Sequence, residues 1–145
     1  MNSPAITGAF AFFALASALT ITSMNSRSEV FEQAKVKTSA TAFILYSDVF
    51  ARYINANPVQ GEVKISSLNG YYPAWLTART DIRAFYINGT GYVFMQDEKG
   101  MMRELNEKTY NSKNIGLTND GLLVTPKGNV TKPSFIPDGY VVYLF

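Results

Sequence analysis

The chain has 145 residues, 13 lysines and arginines against 11 aspartates and glutamates, and neither cysteine nor histidine. Disulfides, thiolate catalysis and cysteine-based metal sites are therefore excluded, and the commonest general base and the commonest zinc ligand are missing together. The net charge of +2 is scattered, so nothing in it forms a footprint for nucleic acid.

Residues 1–26 read as a membrane anchor. Ala5 to Met24 is a run without a charged side chain, and the first charge in the chain is Arg27. Helix over that run would rise about 30 Å, enough to cross the hydrocarbon core of a bilayer. Ala5, Phe10, Phe12, Phe13, Leu15, Leu19 and Ile21 are the residues expected to lie in the membrane. A cleaved signal peptide is the competing reading, because Ala14-Leu15-Ala16 and Ala16-Ser17-Ala18 both offer small residues at a cut. Against it, Met1-Asn2-Ser3-Pro4 has no Lys or Arg, and the apolar character continues through Leu19, Ile21 and Met24. The run is rich in alanine and carries Thr7, Ser17, Thr20, Thr22 and Ser23, residues that let membrane helices approach one another closely. A solitary anchor and a helix docked on other membrane helices both fit. Arg27, Lys35 and Lys37 all follow the run, which by charge alone favours a cytoplasmic location for what comes after.

Residues 27–145 read as a single α+β domain, with a helical stretch over 28–57 and a β-rich part over 58–145. Ser28-Glu29-Val30-Phe31-Glu32 has a hydroxyl cap followed by acids. Phe43, Tyr46, Phe50 and Tyr53 recur at helical spacing, widened by Val49 and Ile54, and this stripe is expected to face the core. Thr38, Ser39 and Thr41 weaken the pattern, so a bend or break is expected within Lys37–Ala42. Asn57-Pro58 ends the helix, since Pro58 disfavours the α conformation at Asn57.

Beyond Pro58, Glu62–Ser66 alternates like a short strand, and Asn69-Gly70 is a turn signal. Tyr71, Tyr72 and Trp75 form an aromatic cluster around the only tryptophan. It is read either as a loop pinned to the core or as a partner contact, because Tyr and Trp carry interface energy well. Ile82–Ile87, the turn Asn88-Gly89-Thr90-Gly91 and Tyr92–Gln96 make the clearest hairpin. Asp97-Glu98-Lys99-Gly100 turns the chain again, and Met101–Leu105 suits either a third strand or a helix. Gly121–Thr125 is a further strand, Pro126-Lys127-Gly128-Asn129 a turn, and Pro133 and Pro137 flank an irregular segment. Tyr140–Phe145 is a final strand whose apolar run ties the end of the chain into the sheet. The rhythm is that of an antiparallel sheet, without βαβ units.

No constellation of catalytic residues or metal ligands emerges, and no cofactor is expected. Asn88-Gly89-Thr90-Gly91 lacks the lysine and the following helix of a phosphate loop. Asp97 and Glu98 are adjacent turn acids, and Asn119-Asp120-Gly121 is turn chemistry far short of a calcium loop. Serines occur without a histidine to activate them, and the protein is read as not an enzyme.

An apolar N-terminal helix, an amphipathic helix, a long loop and an antiparallel sheet resemble the layout of type IV pilins and pseudopilins. Where those proteins have glutamate shortly after a processed glycine, this chain has Phe13 after Gly8, and its leader lacks a base. Asn114-Ile115-Gly116-Leu117, Gly121-Leu122-Leu123-Val124-Thr125-Pro126 and Ile136-Pro137-Asp138-Gly139-Tyr140-Val141-Val142 are similar to the PilM family, small inner-membrane proteins of plasmid-type thin (type IVB) pilus clusters. The resemblance implies a pilin-like fold and a single-pass protein of the bacterial inner membrane, with its soluble domain in the periplasm. It also implies a role in pilus biogenesis, with conjugation as one setting. The partners to be expected are pilus-assembly proteins or pilin subunits, the membrane and further copies of the chain, but not nucleic acid. Entry into the fibre as a minor pilin, or release as a soluble exported binding domain, are the alternatives.

Overall fold

The computed structural model describes residues 2–68, 70–71 and 79–145, with the helical backbone alone for residues 2–28. The chain divides into two compact units, Met1–Lys35 and Val36–Phe145. In the first, the backbone is helical, and Val30 and Phe31 are exposed. Among the described residues, no helix is long and apolar enough to cross a membrane. The side chains of Ala5, Phe10, Phe12, Phe13, Leu15, Leu19 and Ile21, on which the expected span rests, lie outside the described residues, as do Tyr72 and Trp75.

Helix α1 is Asn2–Ala56. The break expected within Lys37–Ala42 is absent, because the hydroxyl residues satisfy themselves on the helix: Thr41 donates to the Lys37 carbonyl at 2.9 Å. Farther along, buried Ser47 donates to the Phe43 carbonyl at 2.7 Å. Val36, Ser39, Ala40, Phe43, Tyr46, Ser47 and Phe50 are buried at steps of three and four, so the aromatic stripe is core. At the C-terminus, the Asn57 N–H and side-chain amide both donate to the Tyr53 carbonyl (2.8 and 3.2 Å), and Pro58 prevents continuation.

Seven strands follow: β1 (Gly61–Val63), β2 (Arg83–Ile87), β3 (Thr90–Gln96), β4 (Ile115–Asn119), β5 (Leu122–Thr125), β6 (Gly128–Thr131) and β7 (Tyr140–Leu144). They form one antiparallel sheet in the order β1-β2-β3-β7-β4-β5-β6. Helix α2 (Met101–Lys108) joins β3 to β4. The molecule is thus α+β, and the last strand is central, wedged between β3 and β4.

Two readings need correction, and one left open is decided. The strand expected over Glu62–Ser66 stops at Val63, and Ile65–Leu68 is a 3₁₀ turn. Met101–Lys108 is helical: Met101, Glu104 and Leu105 fall on one buried face, which a strand could not provide. Strands β4 and β6 went unanticipated, because Ile115-Gly116-Leu117-Thr118-Asn119 and Gly128-Asn129-Val130-Thr131 are rich in Gly and Asn.

Turn chemistry sets the register. Asn88 and Gly89 (φ 51° and 81°) link Ile87 to its partner Thr90, and Asp120 and Gly121 (φ 50° and 76°) link Asn119 to Leu122. Both are two-residue turns with positive φ at each position, whose twist matches that of the strands.

The sheet has apolar groups on both faces, following the two-residue period of its strands. Val93, Met95, Ala84, Ile115 and Val141 join the buried side chains of α1 with Met101 and Leu105 of α2. Phe94, Val142 and Leu123 form a second core with Ile136 on the opposite face. There the irregular segment after β6 acts as a lid. Phe135 stacks on Phe85 at 4.3 Å and meets Tyr92 edge-on at 5.4 Å. Thr118 Oγ1 donates to the Pro137 carbonyl (2.7 Å) and accepts from the Tyr140 N–H (2.9 Å), fastening the segment.

Candidate docking surface

The aromatic segment is held at both ends by α1. Tyr71 packs edge-on against Tyr53 at 5.4 Å, and its hydroxyl accepts from the Asn57 side-chain amide at 3.2 Å. It is half-buried against the core. At the other end, the Arg79 N–H donates to the Tyr46 hydroxyl at 3.1 Å. The Arg79 guanidinium reaches buried Ser39 Oγ at 3.3 Å and grips Asp81 through both carboxylate oxygens, at 3.0 and 2.7 Å. Its hydrogen bonds hold the Asp81 carboxyl below the usual carboxylate range, and Asp81 in turn raises the Arg79 pKa. Tyr71 thus packs against α1, whereas Tyr72 and Trp75 lie outside the described residues. Arg79 escaped the sequence reading. Its signal was the opposite charge two positions away at Asp81, in a segment otherwise short of charge.

The sheet ends in two open edges, β1 and β6. All four residues of β6 are exposed, Val130 at 56 %. Leu122 and Val124 on the neighbouring β5 are also exposed. Val124 lies beside half-buried Leu117 of β4, on the face that carries the helices. Tyr110, 92 % exposed, follows α2 in the left-handed conformation (φ 54°). These residues are surface that the chain itself does not cover.

The acids singled out in the sequence do not converge. No group of acids that could hold a metal ion occurs among the described residues. Asp97 Oδ1 is buried without a hydrogen-bond partner, and that desolvation raises its pKa above the ordinary carboxylate value. Glu104 is buried on α2. Ser112 Oγ accepts from the Asn114 N–H at 3.2 Å.

The PilM family model matches residues 10–144, nearly the whole chain. No curated protein matches. Among solved structures, a PilM protein from Escherichia coli B7A superposes with a TM-score of 0.64 at 21 % identity, covering 79 % of this chain and 94 % of that one. At that identity the likeness bears on the fold. A pilM protein from Pseudomonas aeruginosa 2192 is 30 % identical, with a TM-score of 0.48 and coverage of 74 % and 91 %. The match along residues 10–144 establishes that the chain belongs to the PilM family.

Proposed function

We propose that the protein is a non-enzymatic accessory component of type IV (thin, type IVB) pilus biogenesis. A single span over Ala5–Met24 holds it in the bacterial inner membrane, and the domain over Val36–Phe145 lies in the periplasm. There it docks pilus-assembly proteins or pilin subunits through open sheet edges or the segment that begins at Tyr71. Plasmid conjugation is the setting in which such a pilus would act. The observation that carries the reading is the family match over residues 10–144, since membership links the chain to pilus biogenesis. The composition supports it: a chain without His or Cys offers little to catalysis and much to packing.

Mechanistically, the domain is built for presentation. A central C-terminal strand and two cores, one on each face, make the sheet rigid, and a rigid sheet fixes what its edges and loops offer.

Two measurements test the reading. Clean deletion of the gene abolishes or alters piliation, and normal pili in the deletion strain refute the role. The intact mass of the protein extracted with detergent from washed membranes is that of the full chain, allowing for the initiator Met. A mass beginning at Ala9 makes it a minor pilin, and one beginning at Leu19 makes it an exported domain released from a signal peptide.

A further inference from the structure

The two sheet edges are not equivalent. In β1 the backbone groups of Gly61 and Val63 face Tyr86 and Ala84 of β2, so only Glu62 points its backbone outward. That single residue is charged and paired with Arg83 at 3.0 Å, and the strand gives way to a 3₁₀ turn. Shortness and charge are the devices by which natural sheets close an edge.

Strand β6 is nearly as short, at four residues, but it lacks the charge. Lys132 N–H donates to the Gly121 carbonyl at 2.9 Å, which sets the phase of the β5–β6 ladder. Gly128 and Val130 then use their backbone groups on β5, and those of Asn129 and Thr131 face outward. The strand Gly128-Asn129-Val130-Thr131 has no charged side chain. The lysines at its two ends are drawn away from the edge, Lys127 onto Asn114 Oδ1 (2.8 Å) and Lys132 onto the Ile136 carbonyl (2.5 Å). Both ammonium groups end on neutral oxygens, so these bonds leave their charge uncancelled. From residue 108 to 138 the chain carries Lys108, Lys113, Lys127 and Lys132 against Asp120 and Asp138, the latter accepting from the Gly121 N–H at 3.1 Å, which leaves a net charge of +2 around the edge.

Resting on the docking role proposed above, we infer that β6 is the docking edge and that it takes an extended strand of another protein. That strand carries an apolar residue opposite Val130 and acidic residues at its ends. Asn129 and Thr131 supply the backbone hydrogen bonds, Val130 supplies the apolar contact, and the basic surround selects acidic flanks. A second copy of this chain fits less well. The two-fold register that satisfies every outward group pairs Asn129 with Thr131 of the copy, and so sets Lys132 opposite the copy's Gly128, one residue from its Lys127, bringing like charges near each other at both ends.

The test uses the full-length chain in detergent micelles and the labelled peptide acetyl-Glu-Thr-Val-Thr-Val-Thr-Asp-amide, read by fluorescence anisotropy and by amide shifts of the ¹⁵N-labelled protein. The expected result is binding at least tenfold tighter than for the same peptide with Lys at both ends, with shifts centred on residues 128–132. Thr131→Pro removes an outward N–H that no ladder bond uses, and Val130→Glu replaces the apolar contact with a charge of the same sign as the peptide's flanks. Each lowers binding at least tenfold while leaving the melting temperature within about 2 °C, as surface changes of this kind should. Shifts elsewhere, equal binding by both peptides, or unaltered binding by both variants overturns the inference. So does a dimer in sedimentation that Thr131→Pro dissolves, since the occupant is then a second copy. In cells, a deletion strain that still makes pili refutes the proposed role itself. Loss of pili on deletion with full rescue by both variants refutes only the assignment of the edge.

Discussion

Replacing Arg79 by alanine removes the side-chain contacts that tie this position to Ser39 and Asp81, and the size of the effect can be worked from those contacts. The bidentate pair with Asp81 is lost, but Asp81 is about half exposed (48 %), so solvent screens the pair to roughly 0.5–1 kcal/mol. The two guanidinium contacts to Ser39 share one acceptor at 3.3 Å and count as a single hydrogen bond, worth about 0.5–1 kcal/mol. Ser39 is only 2 % exposed, so its oxygen gains no water in exchange. Loss of the packed side-chain stem adds a few tenths. The sum is about 2 kcal/mol, or roughly 6–10 °C in melting temperature for a domain of this size. The Arg79 N–H bond to Tyr46 survives the change, so the backbone at Arg79 stays tied to α1. Thermal unfolding of the wild type, Arg79→Ala, Asp81→Ala and the double variant isolates the ion pair, with a coupling of about 0.5–1 kcal/mol at neutral pH. Because the folded Asp81 pKa is lowered, this contribution is present above the unfolded carboxylate value and is lost as pH falls through the folded one. A melting temperature for Arg79→Ala within about 1 °C of wild type, or a coupling that persists in strong acid, would refute the reasoning.

Asp97 predicts the opposite sign. Its folded pKa is raised, chiefly by burial, so its charge costs stability above that value and the cost vanishes below the unfolded one. Asp97→Asn should therefore raise stability at pH 7, by about 0.5 kcal/mol or less because solvent screens a partly exposed carboxylate, and have no effect near pH 2, as measured by urea unfolding at the two pH values. Gly116→Ala should destabilise by about 1–3 kcal/mol, because its new Cβ would lie 2.7 Å from the Val124 carbonyl oxygen and from Thr125 Cγ2. Denaturant titration checks this, and a neutral result would mean that β5 moves aside more freely than its pairing with β4 and β6 implies.

What the order of residues determined by itself was local. The period of Phe43, Tyr46, Phe50 and Tyr53 already marked a buried helix face, because 3.6 residues per turn leaves few other uses for such a stripe. Asn88-Gly89 marked its hairpin, because those residues tolerate the positive φ that the turn demands. The apolar run at Tyr140–Phe145 announced a buried strand. The missing His and Cys narrowed the chemistry before any fold was known. Tertiary structure alone decided the rest, because it depends on partners distant in the chain. It placed the last strand between β3 and β4 and carried Phe135 onto Phe85. It decided between strand and helix at Met101–Lys108 by giving that stretch a single face to bury. It also joined Arg79 to Ser39, forty residues away. The open edge at β6 is the clearest instance. Gly-Asn-Val-Thr has too little alternation to announce a strand, and only its ladder with β5 determines which backbone groups face outward.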